Sequence, residues 1–66
     1  MKITVNGEEH EAAGGATVGD LLRELDIPLK GTAVEVNREI APKRTLDSTP
    51  LNEGDQVEVI RMVGGG

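Results

Sequence analysis

The sequence predicts a single α+β domain in which one helix packs across a mixed sheet. Three observations carry that expectation. Segments near both ends alternate apolar and polar residues with the period of a strand. One segment between them repeats apolar residues with the period of a helix. Turn-forming pairs such as Asn6-Gly7 separate the segments. The 66 residues leave room for one domain and no second.

Met1–Val5 places Met1, Ile3 and Val5 on one face, with Lys2 and Thr4 on the other. Asn6-Gly7 follows, and both residues tolerate the positive φ of a type I′ hairpin turn. Glu8–Ala12 is then the return strand. A two-residue turn pairs Ile3 with His10, a four-residue loop pairs Val5 with His10, and both put His10 on the inner side. Gly14-Gly15 breaks the strand. Thr17-Val18-Gly19-Asp20 fits the capping pattern of a helix start, with Thr17 as N-cap. Val18, Leu21, Leu22 and Leu25 then form one apolar stripe. Pro28 disfavours helical geometry at Ile27, so the helix is expected to end near Asp26.

Thr32–Asn37 alternates again, with Val34 and Val36 inward. Asn37-Arg38-Glu39 reads as a turn leading to a short apolar piece at Ile40-Ala41, which Pro42 stops. Lys43–Pro50 has no clear period, with Leu46 and Leu51 as anchors to the core. Asn52–Asp55 is a turn by composition. Gln56–Val63 is the last strand, with Val57 and Val59 on one face and Glu58, Ile60 and Met62 on the other. The order ββαββ with a helical crossover fits the β-grasp, or ubiquitin-like, architecture, a mixed sheet of four to five strands. The first and last strands then lie side by side and parallel at its centre. Residues 1–63 are expected to form this domain and residues 64–66 a flexible glycine tail.

Composition excludes several function classes. There is no cysteine and only one histidine, too few for a thiolate or histidine-rich metal site. Twelve acidic against seven basic residues give a net charge of −5, a poor match for a phosphate backbone. No Phe, Tyr or Trp is present to stack bases. No apolar run approaches the roughly 20 residues needed to cross a bilayer. The expectation is a cytoplasmic domain with no nucleic-acid and no membrane partner. Its core is wholly aliphatic, built from seventeen Ile, Val and Leu residues. No motif has catalytic spacing, so no enzyme activity, no catalytic residue, no metal and no bound cofactor is expected. His10 reads as a rim residue of the hairpin. Glu8, Glu9 and Glu11 read as a solvated run, and Lys43-Arg44 as surface charge. Gly14-Gly15 lacks the remainder of a phosphate loop.

The informative feature is Gly64-Gly65-Gly66 directly after a well-patterned strand. Such an end offers a carboxylate on a thin stalk without side chains. Three extended residues reach about 10 Å, enough to pass a narrow channel into another protein's active site. With the tail, Met1–Gly7, Thr17-Val18 into Asp20-Leu21-Leu22, Val34–Asn37 and Leu51–Val59 resemble the sulfur-carrier proteins of thiamine biosynthesis, over essentially the whole chain. The resemblance implies a carrier cycle. A ubiquitin-activating-type adenylyltransferase adenylates Gly66 with ATP. A sulfur donor, such as a cysteine desulfurase or rhodanese, replaces AMP with sulfur. The resulting thiocarboxylate supplies a thiazole synthase. Gly66 then carries the sulfur, while Gly65 and, less strictly, Gly64 thread the channel.

Ile60 and Met62, beside the tail, are candidates for partner docking. They could equally be ordinary surface aliphatics, or be covered by the Lys43–Pro50 loop. Other carriers (for molybdopterin or cysteine) and ubiquitin-like modifiers share the tail chemistry. A non-carrier β-grasp binding module shares only the fold and does not need the tail.

Overall fold

The computed structural model describes residues 1–62. Its elements are β1 (Lys2–Val5), β2 (Glu8–Glu11), α1 (Val18–Glu24), β3 (Thr32–Val36), β4 (Glu39–Ala41), a 3₁₀-helix (Lys43–Ser48) and β5 (Gln56–Arg61). The five strands form one sheet in the order β2-β1-β5-β3-β4. β1 and β5 are parallel at its centre, and every other pairing is antiparallel. This is the β-grasp topology expected from the element order. The expected boundary between domain and tail lies outside the described residues.

Two tight turns set the register. Asn6 and Gly7 both have positive φ, at 49° and 82°, and Ile3 pairs with His10, so the two-residue hairpin is the one formed. Asn37 and Arg38 repeat the device at 52° and 71°, which makes Glu39 the first residue of β4 rather than part of the turn. One inner face results. Ile3, Val34, Ala41 and Val57 are buried on it, against Val18, Leu21 and Leu22 of the helix and Leu46 and Leu51 of the following loop. Buried Thr32 satisfies its hydroxyl on the Pro28 carbonyl at 2.6 Å.

The helix begins as expected. Thr17 Oγ1 accepts from the Asp20 amide, and Asp20 Oδ2 accepts from the Thr17 amide, a complete capping box. Its end comes at Glu24, slightly before the expected Asp26. Asp26 adopts φ 57°, its amide bonds the Arg23 carbonyl, and the Ile27 amide bonds the Leu22 carbonyl. That is a Schellman closure with aspartate in the left-handed position. The stop is therefore made before Pro28.

Lys43–Ser48, which shows no period in sequence, winds as a 3₁₀-helix with Leu46 buried. It packs on α1, where Gly19 leaves no room for a Cβ against Asp47. Arg23 spans the seam, donating to Asp47 at 2.9 Å and Asp20 at 2.8 Å.

Candidate functional site

β5 delivers the chain to Val63–Gly66, and its anchoring fixes where that segment starts. Val57 is buried at the centre of the sheet. Each hairpin asparagine lays its side chain on the strand. Asn37 Oδ1 accepts from the Gln56 amide at 2.9 Å, and Asn37 Nδ2 donates to Asp55 Oδ1 at 3.0 Å. Asn6 Oδ1 accepts from the Val59 amide at 2.8 Å. β5 is thus bracketed from both neighbouring hairpins, which fixes the position of the strand that precedes the glycines. Its end is Arg61, earlier than the expected Val63. The physical reason is its partner: β3 begins at Thr32, opposite Arg61, and Gly31 turns away at φ 73° after accepting the Met62 amide.

Ile60 and Met62 emerge as the sequence pattern indicates. Ile60 is 43% exposed and Met62 58%, and Ile60 lies on the sheet face opposite the helix, across from Ala33. The loop does not cover Ile60, because the 3₁₀-helix packs on the helix side of the sheet. Gly64, Gly65 and Gly66 lie outside the described residues, so their geometry is not part of the site as seen.

Sequence reading missed two features of this face. Ile40, in the short piece after the second turn, is 70% exposed on the same face as Ile60. Glu35 and Glu58 stand directly opposite each other on the two strands, a like-charge pairing that weakens a sheet. The face of Ile40 follows from the β3–β4 register, which needs the length of the Asn37-Arg38 turn, whereas the Glu35–Glu58 pairing follows from the β3–β5 register, which no local turn sets. The signal for the turn was present in Asn37 but was spread over one residue too many.

The remaining candidates take structural places. His10 sits at the rim, with Nε2 2.9 Å from Glu24 Oε2, tying β2 to the helix. Glu8, Glu9 and Glu11 are exposed, and Glu11 lies 3.5 Å from the N-terminal ammonium. Lys43 and Arg44 are exposed. Asp20 is held below the ordinary carboxylate value of 3.8, first by the Thr17 amide and then by Arg23 and the Thr17 hydroxyl. Arg23 is held above its ordinary value by Asp20 and Asp47. These shifts belong to the helix cap and lie far along the chain from the tail. Among the described residues no group of three or more His, Cys, Asp or Glu is placed to hold a metal ion. No described helix is long and apolar enough to cross a membrane.

Comparison with known proteins gives this geometry a family. The ThiS family matches residues 3–66 of the chain. The chain belongs to the ThiS family. The sulfur carrier protein ThiS of Escherichia coli is 32% identical over 66 residues, covering all of both chains. The crystal structure of the thiamine biosynthesis protein ThiS from Geobacter metallireducens superposes with a TM-score of 0.85 at 33% identity, again over the whole of both chains. A thiazole synthase of Paramagnetospirillum magneticum is 41% identical over 66 residues, and there the chain spans only 20% of the relative's length. A ThiS-type domain is thus a minor part of that longer protein. In this ThiS-family chain the exposed strand end sits where the matched region continues into the three glycines.

Proposed function

We propose that this ThiS-family chain is a sulfur carrier protein of thiamine biosynthesis, with the Gly66 carboxylate as the group that carries sulfur. The observation that carries the reading is the family match through Gly66, joined to a fold that brings the preceding strand out of the centre of the sheet. In this reading a carboxylate oxygen of Gly66 attacks the α-phosphorus of ATP and expels pyrophosphate. A sulfur nucleophile then attacks the acyl-adenylate carbonyl and expels AMP. When that nucleophile is sulfide, the thiocarboxylate forms directly, and it is ionised at neutral pH and nucleophilic.

The carrier needs no base, metal or oxyanion hole of its own, because an adenylyltransferase of the ubiquitin-activating type supplies the ATP chemistry. When a cysteine desulfurase or rhodanese supplies the sulfur as a persulfide, its attack gives an acyl disulfide, and a thiol then cleaves the S–S bond to release the thiocarboxylate and is itself left in a disulfide. The thiazole synthase is the acceptor, a reading supported by the thiazole synthase relatives. Ile60 and Met62 form the apolar part of the docking face, and Glu35 and Glu58 give it negative charge that favours a cationic partner surface. The cytoplasm, where ATP and these partners are at hand, is the proposed compartment.

ATP–pyrophosphate exchange with the adenylyltransferase tests the reading. Deleting Gly65-Gly66 is expected to abolish exchange while leaving the fold intact. Undiminished exchange after the deletion would contradict it. Replacing Ile60 and Met62 with Asp is expected to weaken complex formation, and unchanged affinity would remove them from the docking face.

A further inference from the structure

We infer that the β1-facing edge of β5, beyond Asn6, is a strand-addition site for an extended segment of the thiazole synthase. The inference rests on the carrier reading above and deepens it by naming how the partner grips the base of the tail.

The backbone pattern leads there. The Asn37 amide donates to the Gln56 carbonyl at 2.7 Å, and the Met62 amide donates to the Gly31 carbonyl at 2.7 Å. Alternation between these two bonds turns the backbone groups of Gln56, Glu58, Ile60 and Met62 toward β3. Those of Val57, Val59 and Arg61 therefore face the β1 side. There the Val57 carbonyl accepts from the Asn6 amide at 2.9 Å. One step on, the β1 chain has already turned away at Asn6, and the asparagine side chain takes the Val59 amide in place of a backbone carbonyl.

Past that point β3 still pairs with β5, whereas β1 does not. Among the described residues nothing bonds the Val59 carbonyl, the Arg61 amide or the Arg61 carbonyl. A central strand thus becomes a one-sided edge at its last two residues, immediately before the tail. An unpaired edge is a template for another strand, and peptide recognition by strand addition uses such a row of main-chain groups.

The occupant follows from continuity. A segment laid here lies against the residues that lead into Val63–Gly66, so gripping the edge also aims the tail. The thiazole synthase relatives contain a ThiS-type region within a longer chain, which places such an edge at high effective concentration beside the rest of that protein. A main-chain grip also suits Arg61, whose amide makes no bond to β3 and so is free to donate outward.

Arg61→Pro provides the test, because the one main-chain donor it deletes faces outward and the bonds to β3 come from its neighbours, while the side chain is lost as well. Arg61→Ala keeps that donor and removes the side chain. The full chain, shown by intact mass to accept sulfur at Gly66, is titrated with the thiazole synthase. Arg61→Pro is expected to weaken binding about tenfold, the scale of one lost hydrogen bond at an interface, with Arg61→Ala closer to the parent. Amide exchange supplies a readout free of any mutation. The Arg61 amide should exchange at least about tenfold more slowly in the complex, while Ile60, already bonded to β3, changes little.

Equal losses for Pro and Ala would overturn the proposal in favour of a side-chain contact. So would a complex in which Arg61 exchange is unchanged, or no complex at all from a chain that accepts sulfur. Failure to accept sulfur at all strikes the carrier reading instead, together with this one.

Discussion

Asn6 and Asn37 hold left-handed conformations that favour asparagine among residues with side chains, and each also caps a backbone group of the same strand. Asn6→Gly keeps the turn but removes the bond to Val59, so it isolates that bond. It should cost about 0.5–1 kcal/mol in denaturant unfolding, the range of a modest exposed hydrogen bond. Gly19→Ala sets two effects against each other. Helix propensity gains about 1 kcal/mol, whereas the added Cβ meets the carboxylate and backbone of Asp47. Overpacking costs about 1–3 kcal/mol and outweighs that gain, so the variant should unfold at lower denaturant. Glu58→Lys replaces a like-charge pair with an opposite one across from Glu35, and should stabilise the sheet by about 0.2–1 kcal/mol while weakening partner docking. At this scale much was legible in the sequence: the Asn6-Gly7 turn, the Thr17 cap and the inward valines need only neighbours along the chain. The tie from Asn6 to Val59 was not, because it joins residues that only the parallel β1–β5 pairing brings together.

Among the elements, α1 shows how a short helix is held at both ends. Its seven residues are too few to persist alone, so the capping box, the Schellman closure and the apolar stripe act together. Thr17→Ala should cost about 1 kcal/mol. The Asp20 carboxyl adds a pH dependence of known sign. Its value in the folded chain lies below the ordinary 3.8, so its contribution is complete above that value and is lost as pH falls through the lower folded one. An acid titration of unfolding should therefore lose stability in that window, and Asp20→Asn should remove this part of the loss. The helix was readable because its period and both punctuation marks are local. Lys43–Ser48 was not, because a single buried Leu46 holds a 3₁₀ segment that has no periodic signature. The end of β5 was also overrun in sequence: Met62 and Val63 continue the alternation, but the strand stops where β3 runs out.

For the whole molecule, the topology and the proposed chemistry meet at one strand. The central pair β1–β5 anchors the base of the glycine segment, the sheet face opposite the helix presents Ile60, and the last residues of β5 expose an edge. The carrier reading makes the three glycines unequal. Gly65→Ala should impair adenylation more than Gly64→Ala, since the narrowest part of a channel admits no Cβ near the reacting carboxylate, and full activity in both would remove the steric argument. The measurement that tests the central claim most directly is intact-protein mass spectrometry with fragment localisation. The chain is incubated with an active adenylyltransferase, ATP and a sulfur donor. The account predicts a mass rise equal to one exchange of oxygen for sulfur, located at Gly66. An unchanged mass, under conditions where the same enzyme sulfurates its own carrier, would contradict it.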